Sequence, residues 1–147
     1  MSTTFTKFHE DGSIPAASEV FVFGSNLAGR HGAGAAHTAK QLFGAIYGQG
    51  AGRMGMSYGI PTKGRRLEVL PLKLIRQHVD GFLGYARLNP ELSFFVTRIG
   101  CGRAGYDDAQ IAPLFSNAPS NCSFAHQWRR FITPAGREAQ ATRGTTP

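Results

Sequence analysis

At 147 residues and 15.8 kDa, with 41% apolar residues, the chain has material for one hydrophobic core and is too short to expect a second domain. Sixteen basic residues against nine acidic give a net charge of +7 and a pI near 10.0, which favours anionic partners: phosphates, nucleotides or nucleic acid. No stretch approaches the roughly 18–20 apolar residues of a membrane span, and Met1–Gly12 carries charges without a signal-like apolar run, so the expectation is a soluble, cytoplasmic protein with no membrane partner.

In chain order, Glu19–Gly24 (EVFVFG) is a β-branched and aromatic run ending in glycine, the signature of a buried strand that turns sharply. Gly32–Phe43 follows with small residues at its start, apolar residues at helical spacing (Ala36, Ala39, Leu42, Phe43) and Gly44 as a stop, which predicts a helix. The glycine-rich stretch Gln49–Met56 reads as a surface loop, and Ser57–Ile60 as a short strand broken by Pro61, with Lys63 just past its end. Leu72, Ile75, Val79, Phe82, Leu83 and Ala86 repeat near 3.6 residues and predict a second helix over Leu72–Leu88. Ser93–Ile99 resembles a central strand; Gly100–Tyr106 is a second glycine loop, and Asp107 and Asp108 open a helical stretch. Asn121–Phe124 reads as a last, edge strand, and Thr133–Pro147, without large apolar residues, as a disordered tail.

Strand, glycine turn and helix therefore occur twice, the pattern of an α/β sheet with ligand contacts at the carboxyl ends of its strands. A diphosphate needs many donors in a small space, and backbone amides at a helix start supply them where no side chain blocks the approach. Gly24, Gly29, Gly32 and Gly34 crowd one loop and Gly100, Gly102 and Gly105 the other; tight turns with close helix–sheet packing would account for the same residues. Gly32–His37 fits a dinucleotide fingerprint poorly: its third glycine is replaced by His37, the pattern starts well after the strand's last apolar residue, Phe23, and no acidic residue follows at the expected interval.

Four motifs in order carry a more specific likeness: Phe23-Gly24-Ser25-Asn26, the run Arg30–Ala36 (RHGAGAA), the run Tyr58–Lys63 (YGIPTK) and the run Arg98–Gly102 (RIGCG). Over about residues 19–116 the chain resembles macrodomains, and within them the subgroup of the terminal ADP-ribose protein glycohydrolase and the bacterial antitoxins that remove ADP-ribose from DNA. The resemblance implies a macrodomain-like three-layer α/β/α fold with a central mixed sheet over residues 1–132, with the tail 133–147 outside it. It implies ADP-ribose or a related nucleotide as ligand, ADP-ribosylated DNA or protein as macromolecular partner, and no separate cofactor.

Position by position, the resemblance sets Gly24, Ser25 and Asn26 at the first strand's end, with Asn26 near the distal ribose, and Gly32, Ala33 and Gly34 in the loop over ribose and diphosphate; His31, between Arg30 and Gly32 in that loop, is placed to touch phosphate or ribose. Thr62 and Lys63 follow the second strand, and Lys63 matches the lysine that this subgroup uses against the anomeric carbon. Gly100, Cys101, Gly102, Arg103, Ala104 and Gly105 form the phosphate loop that Tyr106 would close. The chain departs from the pattern where acids are concerned. The glycohydrolase acid is matched by Ala104, which leaves Asp107 or Asp108 as substitutes, and the first-loop aspartate of other macrodomain hydrolases falls among Ala33–Ala35. Asp11 matches the adenine-contacting aspartate only loosely.

Simpler roles compete for each residue: a turn asparagine for Asn26, a solvated lysine for Lys63, helix-start acids for Asp107 and Asp108, an exposed loop histidine for His31. Cys101 and Cys122 sit in no ligand-spaced cluster and are expected as reduced thiols, and the five histidines show no metal-ligand spacing. Trp128 beside Arg129 and Arg130 is a candidate base-stacking group, or a packed edge. The three functional expectations are an ADP-ribosyl hydrolase, a non-catalytic binder of ADP-ribose or another NAD-derived nucleotide, and a basic nucleic-acid-binding protein.

Overall fold

The computed structural model describes residues 6–132; the expected disordered tail, 133–147, lies outside the described residues. Strand β2 (Glu19–Asn26) shows how the sequence builds the layers. Its Val20 and Val22 point to one face and Phe21 and Phe23 to the other, and all four are buried, so the sheet must be covered on both sides. Helix α1 (Gly34–Leu42) covers the phenylalanine face through Ala36 and Ala39. Helix α2 (Leu72–Leu88), with the bounds its periodicity predicts, covers the valine face through Ile75, Val79, Phe82, Leu83 and Ala86. Phe94 and Val96 of β5 (Ser93–Val96) join the α2 side, and Phe95 joins the α1 side. The result is a mixed α/β fold in three α/β/α layers.

The six strands run in the order β1-β6-β5-β2-β4-β3, all parallel except β3 (Gly52–Met54), which pairs antiparallel with β4 (Ser57–Lys63). Several sequence expectations change. The glycine-rich stretch 49–56 is not all loop: β3 lies within it, on the outer edge. Pro61 does not end β4, which continues to Lys63; it falls beyond the β3 pairing, which stops at Gly59, and beside the irregularity of the β2–β4 ladder at Ser25–Asn26, where a missing N–H is tolerated. Strand β6 (Cys122–Ala125) is not an edge strand, because β1 (Lys7–His9) pairs along its outer side. Three residues, Lys7-Phe8-His9, are too short a run to announce a strand in sequence.

The expected first helix begins two residues later than Gly32, at Gly34, and β5 stops at Val96. After Asp107 the helical stretch is one α turn, α3 (Asp108–Ile111), followed by a 3₁₀ turn over Ala112–Phe115. Among the described residues no helix is long and apolar enough to cross a membrane.

Candidate functional site

Chain direction aims four strand ends at one place. From β2 the chain crosses by α1 to β4 on one side, whereas from β5 it passes by α3 to β6 on the other, so the loops leaving neighbouring strands β2 and β5 part and open a crevice between them. The loops touch at its base: a Cβ on Gly24 would lie 3.5 Å from the amide nitrogen of Gly100. The crevice is a cavity of about 840 Å³, within the size of small-molecule sites. Gly24, Ser25, Asn26, Gly32, Ala33, Gly34, Thr62, Lys63, Gly100, Cys101, Gly102, Arg103 and Ala104 all line it; His31, Gly105, Tyr106 and Asp107 do not.

The first loop is shaped from within. Asn26 brackets the backbone of Arg30: its Nδ2 donates to the Arg30 carbonyl at 2.8 Å and its Oδ1 accepts from the Arg30 amide at 2.9 Å. Ser25 donates from its hydroxyl to the Gly50 carbonyl, which ties the same strand end to the neighbouring loop. His31 is not the exposed loop residue its position suggested, being only 1% exposed. Its Nε2 lies 3.0 Å from both the Ile46 and Gln49 carbonyls, so that nitrogen carries the proton, and its ring meets Phe23 edge-on at 5.4 Å. It braces the loop from behind and does not face the cavity.

Ala33 then enters α1 in extended conformation with no side-chain cap. The amides of Gly34, Ala35 and Ala36, which helix geometry leaves without intrahelical acceptors, belong to residues that line the cavity.

The second loop is pinned at both ends. Gly100 takes a left-handed φ of +73°, and a Cβ there would lie 3.0 Å from Ile111 Cδ1. Its carbonyl accepts from the Tyr106 amide at 2.9 Å, and that of Gly102 from the Gly105 amide at 3.0 Å. Tyr106, expected to close over the ligand, instead donates from its hydroxyl to the Leu70 carbonyl at 2.7 Å. Asp107 caps α3 in a reciprocal capping box with Gln110.

Arg98 grips Asp108 with two hydrogen bonds, at 2.9 and 2.7 Å, and reaches Asp11 at 3.1 Å. Asp108 also accepts from Trp128 Nε1 at 2.7 Å; the indole is fully buried, which removes it as a base-stacking surface. The Arg98 guanidinium holds the Asp108 carboxyl below its ordinary value, and these pairings raise Arg98 above its own. Burial, aided by the neighbouring Asp108, pushes the Cys101 thiol up to about 12. Cys101 and Cys122 are both free thiols.

Lys63 stands half-buried at the carboxyl end of β4, its carbonyl accepting from the Leu27 amide at 2.9 Å. Among the described residues none of the ion pairs engages it. Arg30, Lys63, Arg98 and Arg103 line the cavity against a single carboxylate, Asp11, which is already paired with Arg98; the balance attracts anions. Among the described residues there is no group of three or more His, Cys, Asp or Glu side chains placed to hold a metal ion.

Sequence reasoning missed the aromatic side of this cavity. His9, Phe21, Phe43 and Phe95 line it together, although they come from β1, β2, the end of α1 and β5. Periodicity marked Phe21 and Phe95 as core, but only the strand order shows that His9 joins them.

No protein-family model matches the sequence, and no curated protein matches it. In fold the chain is similar to a solved structure of a protein of unknown function from Bacteroides thetaiotaomicron, with a TM-score of 0.57 and 15% sequence identity, over 84% of this chain and 99% of that one. At that identity the likeness is one of fold alone.

Proposed function

We propose that this chain is a macrodomain-type domain that binds ADP-ribose, and that it removes ADP-ribose from a DNA or protein adduct through Lys63. The observation that carries the binding reading is the character of the loop edges. Gly32 and Gly102 line the cavity without a left-handed φ, and a Cβ on either would meet no protein atom within 4 Å. The backbone does not require glycine there. A ligand that must approach the loop amides closely does. Uncapped amides at the start of α1 and an excess of lining cations favour a diphosphate in the same place.

For turnover, Lys63 Nζ as the free amine forms a C–N bond to the anomeric carbon of the distal ribose as the bond to the macromolecule breaks, and the proton shed by the nitrogen goes to the leaving group; water then adds at that carbon as the C–N bond breaks, which releases ADP-ribose and restores the amine. Asn26, locked onto Arg30, fixes the rim of the cavity beside that ribose.

A second reading, capture of ADP-ribose without turnover, is favoured by the acids. Ala104 stands where the glycohydrolase has its acid, Asp107 is committed to a helix cap, and Asp11 is held by Arg98. One experiment separates the two: incubation with ADP-ribosylated DNA and ADP-ribosylated protein, comparing the natural chain with Lys63→Ala. Release that disappears in the variant, with ADP-ribose affinity retained, supports hydrolysis. Unchanged release removes the role of Lys63, and binding without release by the natural chain marks a capture module.

A further inference from the structure

Four rings form a continuous stacked band along one wall of the cavity. His9 lies on Phe95 with centroids 3.7 Å apart and planes at 15°; Phe95 follows Phe21 at 6.1 Å and 18°, and Phe21 follows Phe43 at 4.8 Å and 27°. Phe21 and Phe95 are buried within the band, while His9 at its β1 end is half-exposed.

Strand order gives the band a direction. On the reading above, the distal ribose lies by Lys63 at the end of β4, and the diphosphate lies on the loops that leave β2 and β5. The sequence of strands from β4 is β2, β5, β6, β1, so the next strand ends beyond the diphosphate are those of β6 and β1. The end of β1 is His9. From β4 to β1 are four strand spacings, about 19 Å at roughly 4.8 Å each. A ligand that starts at Lys63 and crosses both glycine loops therefore brings its far end to the His9 ring.

We propose that the base of the nucleotide stacks on His9, which acts as a binding platform at the β1 end of the cavity. This rests on the reading that the loops hold a diphosphate. The ring is fixed for the role: Nδ1 lies 2.6 Å from Ser123 Oγ, and one face is spent on Phe95. Burial lowers its pKa and His126 acts in the same sense, against the Glu19 and Asp11 carboxylates and a bond to the Val96 backbone. A neutral, flat, immobilised ring takes up a base by stacking, with little selectivity among bases.

The test compares two ligands that differ by the adenosine, ADP-ribose and ribose 5-diphosphate, by calorimetry on the natural chain, His9→Ala and His9→Phe; the His9 variants then separate the base from the ribose that carries it. His9→Ala should weaken ADP-ribose by about tenfold, the scale of one lost base–aromatic stack, and leave ribose 5-diphosphate unchanged. His9→Phe, which keeps a ring, should restore ADP-ribose binding. The proposal is overturned if His9→Ala binds ADP-ribose like the natural chain, if it loses both ligands equally, or if the phenylalanine fails to restore binding in a folded protein. If the natural chain binds ADP-ribose no better than ribose 5-diphosphate, the platform fails while the diphosphate reading stands. If it binds neither, the diphosphate reading fails and the platform with it.

Discussion

Arg98 and Asp108 close the second glycine loop at its two ends: Nε to Oδ1 at 2.9 Å and Nη2 to Oδ2 at 2.7 Å join Arg98, two residues before Gly100, to the first residue of α3. Because Asp108 also accepts from the buried Trp128 indole, its loss leaves that N–H without an acceptor and Arg98 with Asp11 alone. Asp108→Ala is expected to cost about 2 kcal/mol, chiefly from the unsatisfied indole N–H, since Arg98 keeps its pairing with Asp11. Urea unfolding checks this; a change within about 0.5 kcal/mol would show that the loop is held elsewhere.

Glycine positions should divide by role. Gly100→Ala forces a left-handed φ on a Cβ that presses on Ile111, and is expected to destabilise the fold by about 1–2 kcal/mol. Gly32→Ala and Gly102→Ala meet neither obstacle and should leave the melting temperature within about 2 °C of the natural chain's. Thermal melts of the three variants decide.

Acid should destabilise the protein in two steps. His9 and His78 have pKa values lowered by burial from the ordinary 6.5, so below that pH the unfolded chain takes up protons that the folded one resists. Their contribution is whole above about pH 7 and declines as pH falls from there towards their folded values. Asp108, lowered by Arg98, holds its contribution above its unfolded value of 3.8 and loses it as pH falls through the folded value. Melting temperatures should be level from about pH 8 to pH 7, fall below about pH 7 as the histidines take up protons, and fall again below about pH 3.8 with Asp108; the first step should shrink in His9→Phe. A flat profile between pH 7 and about pH 5 would contradict the histidine assignment.

The thiols should be inert in the folded state. Cys101 and Cys122 are each pushed up from 9.0 to about 12, chiefly by burial, so few thiolates exist near neutrality even though Cys101 lines the cavity. Labelling by iodoacetamide at about pH 8 should be slow for the native protein and fast in denaturant. Rapid native labelling of Cys101 would show that its loop opens.

Much of the frame is written locally. The alternation of Val20, Phe21, Val22 and Phe23 carries the two covered faces of the sheet, and the spacing from Leu72 to Leu88 carries the whole of α2. Elements of three residues were hidden, because β1 and β3 are made by pairing with β6 and β4 and not by their own pattern. The same distinction runs through the site. Glycine runs and the position of Lys63 could be read in order along the chain. His31 turned inward because two carbonyls fifteen and eighteen residues away claim its Nε2, and the His9–Phe95 stack depends on β1 reaching the sheet at all.

Binding of ADP-ribose on the two glycine loops is tested by calorimetric titration of ADP-ribose into the natural chain, Gly32→Ala and Gly102→Ala. Saturable binding to the natural chain is expected, with at least about tenfold weaker binding to each variant, some 1.4 kcal/mol, and folding unchanged. Absence of binding to the natural chain, or equal affinity in all three proteins, would contradict it.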